Sequence, residues 1–172
     1  GGVMTPDQFD LIAEIAGADN TVDITTRQEL QIYGVPAAEV EATLERLNKA
    51  GLTTLGAGGT TVRNIVGCPA ASVDRQEAFD VSPTIKQLHD FFLGHTQYAD
   101  LPKPLRLSVS ACVDQCVHPA IQDIALVGIV RTVDENTEVG FDLWMGGAMS
   151  EPPALGRSLG VFLGSTTYAD RT

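Results

Sequence analysis

The stretch from Leu105 to Gly147 constrains the fold more than any other. "LRLSVSA" (105–111) alternates apolar and polar residues, the period of a strand. It runs straight into "CVDQCVHP" (112–119), where a tight loop is expected. Two further apolar runs follow, "DIALVGIVRTV" (123–133) and "EVGFDLWMGG" (138–147). Only a short connection holding the acidic turn Asp134-Glu135-Asn136 separates them, so they are predicted to pair as an antiparallel hairpin. Leu159-Gly160-Val161-Phe162-Leu163 supplies a last apolar segment.

The elements around this sheet are helices and strands without a steady βαβ rhythm, which points to α+β rather than a doubly wound sheet. Thr5-Pro6-Asp7-Gln8 reads as a helix start: Thr5 accepts from a free backbone N–H, Pro6 suits the first turn and Gln8 completes a capping box. Phe9, Ile12 and Ala16 share a face, and Gly17 is the expected stop. "TVDITTRQELQIYGV" (21–35) reads as a strand bent at Thr26-Arg27. Pro36 opens a helix with Val40, Leu44 and Leu47 on one face, closed by Gly51. "LGAGGTTVRNIVGCPAASVD" (55–74) is glycine-rich, then apolar, then loop-like. Ser82-Pro83 starts another helix carrying Ile85, Leu88 and Phe92. The change in character near residue 60 predicts two units, 1–60 and 61–172.

A 172-residue chain that is 44% hydrophobic and 19% charged has the apolar material for a packed core. Its net charge of −11 repels phosphate backbones and anionic lipid, so neither nucleic acid nor a membrane is expected as a partner. The apolar runs are far short of a membrane span. Three cysteines fit reduced cytoplasmic thiols better than a secreted disulfide framework. Met4 follows Gly-Gly-Val, and both ends are expected to be cuts from a longer chain.

Cys112 and Cys116 stand in a spacing that zinc accepts, and Cys68 and His118 would complete four ligands on paper. A disulfide across that loop is geometrically awkward. An ordinary four-cysteine cluster exceeds the three thiols present. Two buried thiols at the start of a tight loop remain the plainer alternative. Arg27, Arg63 and Arg106 lie in otherwise apolar surroundings in a chain with eight arginines and three lysines. A guanidinium suits carboxylates and oxyanions, although a surface charge or a structural ion pair also fits each arginine taken singly. "GAGG" (56–59) and "MGGAMS" (145–150) read as turns. His89 and His95 show no metal spacing, and no His-Glu-x-x-His pattern occurs.

Jointly, "TTRQELQIYGV", "AGGTTVRNIVGCPAASVD", "LPKPLRLSVSACVDQCVHPAIQDIALVGI" and "VGFDLWMGGAMSEPPALGRSLGVFL" resemble the sirohaem-dependent nitrite and sulfite reductases, in order and spacing across nearly the whole chain. The resemblance implies a ferredoxin-like α/β half-domain (1–60) followed by a larger mixed α+β sirohaem-type domain (61–172). It implies an oxidoreductase carrying out six-electron reduction of nitrite to ammonia or sulfite to sulfide, with sirohaem and a [4Fe-4S] cluster. Its partners would be ferredoxin or a nicotinamide-linked reductase as electron donor, and a second half-domain or a second copy.

Carried over by residue, Arg27 matches the arginine of the family's Thr-Thr-Arg-Gln run and Arg63 that of its Arg-Asn motif. Arg106 stands where a basic residue faces the substrate, so these three are the implied catalytic residues and, with Lys103, the implied cofactor-binding residues. Pro104 occupies the place of a catalytic lysine, and Lys103 keeps a positive charge one position away. Cys112 and Cys116 match the family's second cysteine pair. Cys68 matches one member of the first pair, and Val62 stands at the other. The Thr-Thr-Arg-Gln run belongs to the half that lacks the cluster, which implies that the cluster is bound mainly by the other half. Precorrin-3B synthase resembles the same superfamily and is the alternative enzyme reading. A non-catalytic half serving as scaffold is the alternative of another class.

Overall fold

The computed structural model describes residues 2–18 and 20–164. Helix α1 spans Pro6–Ala16 and starts as the sequence predicts: Thr5 Oγ1 accepts from Gln8 N–H at 3.3 Å, and Gln8 Oε1 accepts from Thr5 N–H at 2.9 Å. Two short strands follow, β1 (Val22–Ile24) and β2 (Leu30–Ile32), paired antiparallel with Asp23 opposite Gln31. The single bent strand expected at 21–35 is therefore a hairpin. Its turn closes on itself because Thr25 N–H donates to the Glu29 carbonyl and Gln28 N–H to the Thr25 carbonyl, both at 2.9 Å. Gln28 takes φ +56°, and the Thr25 hydroxyl accepts from the N–H groups of Arg27 and Glu29. These side-chain-to-backbone bonds are what make a threonine a turn former rather than a strand continuer.

A 3-10 turn at Ala37–Glu39 leads into α2 (Val40–Lys49), and Gly51 follows with φ +75°. Of the predicted apolar face of α2, Leu47 is buried while Val40 and Leu44 stay exposed.

The larger unit is a five-stranded mixed sheet in sequential order: β3 (Val66–Gly67), β4 (Leu107–Ser110), β5 (Ile124–Val133), β6 (Asn136–Met145) and β7 (Arg157–Gly164). β3, β4 and β5 are parallel, and β5, β6 and β7 antiparallel. The predicted β5–β6 hairpin is present, with Val133 opposite Asn136 and with Asp134 and Glu135 both at positive φ, the turn geometry that matches strand twist. Helix α3 (Ser82–Phe92) packs on the sheet through Ile85. The core joins Val62, Ile65, Val81 and Ile85 to Leu107, Val109, Ala111, Leu126 and Phe141. Phe141 meets Phe79 edge-to-face at 5.3 Å.

β4 departs from the half-exposed strand that its alternation implies. All four of its residues are buried, Ser108 and Ser110 to 1% exposure, because it lies between β3 and β5 and is covered on both faces. Leu107 and Val109 enter the core, while Ser108 and Ser110 point to the opposite face by the two-residue period. No helix among the described residues is long and apolar enough to cross a membrane.

Candidate functional site

The tip of the β1–β2 hairpin is pinned onto the large sheet, and this places Arg27. Gln28 completes the edge of β3 like a short extra strand. Its Nε2 donates to the Gly67 carbonyl at 2.7 Å, and its Oε1 accepts from Gly67 N–H at 3.2 Å. Asn64 Nδ2 donates to the carbonyls of Arg27 (2.8 Å) and Gln28 (3.2 Å), fixing the turn from the other side. Arg27 is thereby directed at the start of β4, where Nη1 donates to the Leu107 carbonyl at 3.1 Å. Its Nη2 donates to Gln122 Oε1 at 2.6 Å.

Arg106 and Arg63 converge on the same region. Arg106 immediately precedes β4, and its backbone N–H donates to Asp123 Oδ2 at 2.8 Å. Its guanidinium stays 4.0 Å from that carboxylate, a loose pairing that leaves donors free. Arg63 extends the parallel register upstream of β3, its N–H donating to the Leu105 carbonyl at 2.9 Å, and its guanidinium bonds the Ala57 carbonyl in the glycine loop. Burial lowers the pKa of Arg27 from its ordinary value. The charges of Arg106 and Arg63 push in the same direction, against Glu29 and Asp123. Burial raises the pKa of Glu29, although Arg63 and Arg27 pull it back. Three guanidiniums thus face two carboxylates across separated parts of the chain. Arg27 thus feels an excess of positive charge, which a bound anion would offset.

The remaining predicted site residues sit differently. Lys103 is exposed on the connection before β4, and no ion pair among the described residues involves it. Cys112 is buried, Cys116 exposed and Cys68 between the two. Burial raises the Cys68 pKa; a backbone hydrogen bond at Ala70 pulls it back, and Cys112, Cys116 and Glu77 add smaller contributions to the rise. Cys68 and Cys112 are thus electrostatic neighbours, yet no group of three or more His, Cys, Asp or Glu side chains among the described residues is arranged to hold a metal. The donor set of this chain does not fit a four-thiolate cluster. The arginine set does fit a macrocycle bearing carboxylates. A shallow hollow of about 520 Å³ beside the cysteine loop is lined by Asp114, Gln115, His118, Trp144 and Met149 among others, and none of the three arginines borders it.

Sequence reasoning missed Gln122, Asn64 and Gln28, which together orient Arg27. Gln122 carried a usable signal: it is an uncharged polar residue inside the apolar run "PAIQDIALVGI", where burial demands a partner.

The chain matches the model of the nitrite and sulphite reductase 4Fe-4S domain over residues 58–168, and that of the nitrite/sulfite reductase ferredoxin-like half domain over residues 1–50. It is 33% identical to an assimilatory ferredoxin-dependent nitrite reductase of Haloferax mediterranei, over 94% of this chain and 30% of that protein. It is 34% identical to a sulfite reductase [ferredoxin] of Mycolicibacterium paratuberculosis, over 85% of this chain and 25% of that one. Among solved structures it superposes on the Mycobacterium tuberculosis NirA protein with a TM-score of 0.83 and 28% identity, covering 95% of this chain and 29% of NirA. A dissimilatory sulfite reductase shares the fold at a TM-score of 0.75 and 10% identity. The chain therefore spans under a third of the length of the Haloferax and Mycolicibacterium relatives, and with the domain model covering most of its residues it belongs to the nitrite and sulfite reductase family.

Proposed function

We propose that this chain is one half, or a fragment, of a sirohaem-dependent nitrite or sulfite reductase, and that it supplies the cationic wall of the active site. The observation that supports this most directly is the convergence of Arg27, Arg63 and Arg106 from three separate parts of the chain onto one region with too few carboxylates to balance them. Sirohaem, when bound, supplies the iron at which the oxyanion is reduced. The residues of this chain hold carboxylates of the macrocycle and attract the anion. As positive N–H donors, they also stabilise negative charge on oxygen as it leaves. Lys103 adds to the local positive charge from its exposed position. Cys112, Cys116 and Cys68 do not complete a cluster here, so the [4Fe-4S] cluster that serves the reaction is ligated mainly by the second half of the longer enzyme. That half also covers the site. Ferredoxin, named for the Haloferax and Mycolicibacterium relatives, is the electron donor we infer, and the cytoplasm the compartment. The division at residues 60 and 61 follows the same reading.

The test is an absorbance titration of the 172-residue chain with sirohaem, with iron and acid-labile sulfide determined on the same sample. Wild type is expected to take up the macrocycle without labile sulfide. Arg27→Ala, which removes hydrogen bonds to a charged group worth ~1.5–3 kcal/mol, is expected to weaken uptake by about ten- to a hundredfold while the protein stays folded. Failure of the wild type to bind, or equal binding by the variant, overturns the proposal.

A further inference from the structure

We propose that Gln122 is a positioning residue, whose amide orients the Arg27 guanidinium in the anion site and ties that orientation to the backbone of the cysteine loop. The inference rests on the oxyanion-binding reading of the arginine cluster. Gln122 is only 5% exposed, and both ends of its amide are engaged. Oε1 accepts from Arg27 Nη2 at 2.6 Å, and Nε2 donates to the Val117 carbonyl at 3.1 Å. This pattern sets the sense of the amide, because the reverse orientation would turn an NH₂ donor toward a guanidinium that can only donate. The second anchor of Arg27, the Leu107 carbonyl, lies on another element. Two acceptors from different elements fix the plane of the guanidinium. The other N–H donors of its fork remain for a ligand.

The choice of an amide has a chemical consequence. A carboxylate at this place would anchor Arg27 equally well but would cancel its charge. Glutamine supplies the acceptor without adding a further negative charge to those of Glu29 and Asp123. The nearby carboxylate, Asp123, instead takes the backbone N–H of Arg106. The segment carrying Gln122 is itself held: Gln122 N–H donates to the Pro119 carbonyl at 3.2 Å, and Gly156 N–H to the Ala120 carbonyl at 2.7 Å. Val117 is buried, so its carbonyl is a fixed anchor rather than a solvated one. A displacement of the 112–118 loop therefore reaches Arg27 through a single side chain.

The experiment compares wild type, Gln122→Met, Gln122→Glu and Arg27→Ala in the 172-residue chain. It reads sulfite affinity by calorimetry at fixed salt, and the NMR resonance of the Arg27 Nε–H group. Wild type is expected to show a dispersed, slowly exchanging Arg27 signal. Gln122→Met, similar in volume but without the acceptor, is expected to move that signal to the position of free arginine and to weaken sulfite binding by about tenfold. Gln122→Glu is expected to keep the signal yet weaken sulfite at least as much. A merely structural residue would not separate the order of Arg27 from its affinity in this way. If Arg27→Ala weakens sulfite while Gln122→Met leaves both the affinity and the Arg27 signal unchanged, the positioning role is overturned and the anion site stands. If Arg27→Ala has no effect on sulfite, the underlying reading falls. Should Gln122→Met not fold, Gln122→Glu decides: wild-type sulfite affinity, or loss of the Arg27 signal, overturns the proposal.

Discussion

Beside Arg27 in the hairpin turn, Glu29 carries a carboxyl whose pKa burial raises, despite the counteracting pull of Arg63 and Arg27. A raised carboxyl pKa means that the folded state binds the proton more readily than the unfolded state does. The corresponding stability is present in full below the ordinary value of 4.5 and is lost as pH rises through the folded pKa. At neutral pH, Glu29 is thus charged at a cost to the fold. Glu29→Gln should match wild type in urea midpoint near pH 4 and exceed it at pH 7. The same change removes one of two carboxylates that oppose the arginines. Sulfite should bind about fivefold more tightly, the factor that ~1 kcal/mol of removed repulsion gives. A lower midpoint than wild type at pH 7 would show that Glu29 is held chiefly as an ion-pair partner.

At the scale of elements, the connection after β6 controls the segment that carries Gln122. A Cβ on Gly147 would lie 2.4 Å from the Gln122 carbonyl oxygen, 2.6 Å from that of Ala120 and 2.7 Å from Gln122 N. All three are backbone atoms that cannot swing aside, so the methyl must displace the 120–122 strap. Gly147→Ala is expected to cost ~1–3 kcal/mol in urea unfolding, the range for overpacking a close contact. It should also weaken sulfite binding, because Gln122 moves with the strap. Gly67 forms the instructive contrast: the clash there is with Ile85 Cδ1 at 2.2 Å, the far end of a side chain that can rotate. Gly67→Ala should therefore cost less than Gly147→Ala in the same measurement.

For the whole molecule, a net charge of −11 sets a self-repulsion that no ion-pair network among the described residues offsets. These residues hold five ion pairs, mostly between exposed side chains and each worth about 0–1 kcal/mol. Raising salt from about 0.01 M to about 0.15 M shortens the screening length from ~30 Å to ~8 Å. It removes more repulsion than attraction. Thermal unfolding should shift upward by a few degrees over that range, and a downward shift would mean that the pairs outweigh the net charge. The arginine cluster sits within this acidic field as a local exception. Its cations act over a few ångströms, where screening is weak, while the distant acidic surface is screened.

Features that depend on neighbours in the chain are legible in the sequence itself. The Thr5–Gln8 capping box is a local exchange of two hydrogen bonds, and it forms as the residue types require. The β5–β6 hairpin follows from two apolar runs and a short acidic turn. The joint motif pattern marks the family and the three arginines. The tertiary structure decides what depends on residues far apart. The 21–35 segment becomes a hairpin because Thr25 captures its own turn and Gln28 and Asn64 pin that turn to β3, 36 to 39 residues away. The serines of β4 are buried because their face of the sheet is covered as well as the core face, which a two-residue period cannot reveal. Gln122 acquires its role from Arg27, 95 residues distant. Alternation and caps report what a residue needs, burial or a partner. Only the folded chain determines which distant group supplies it.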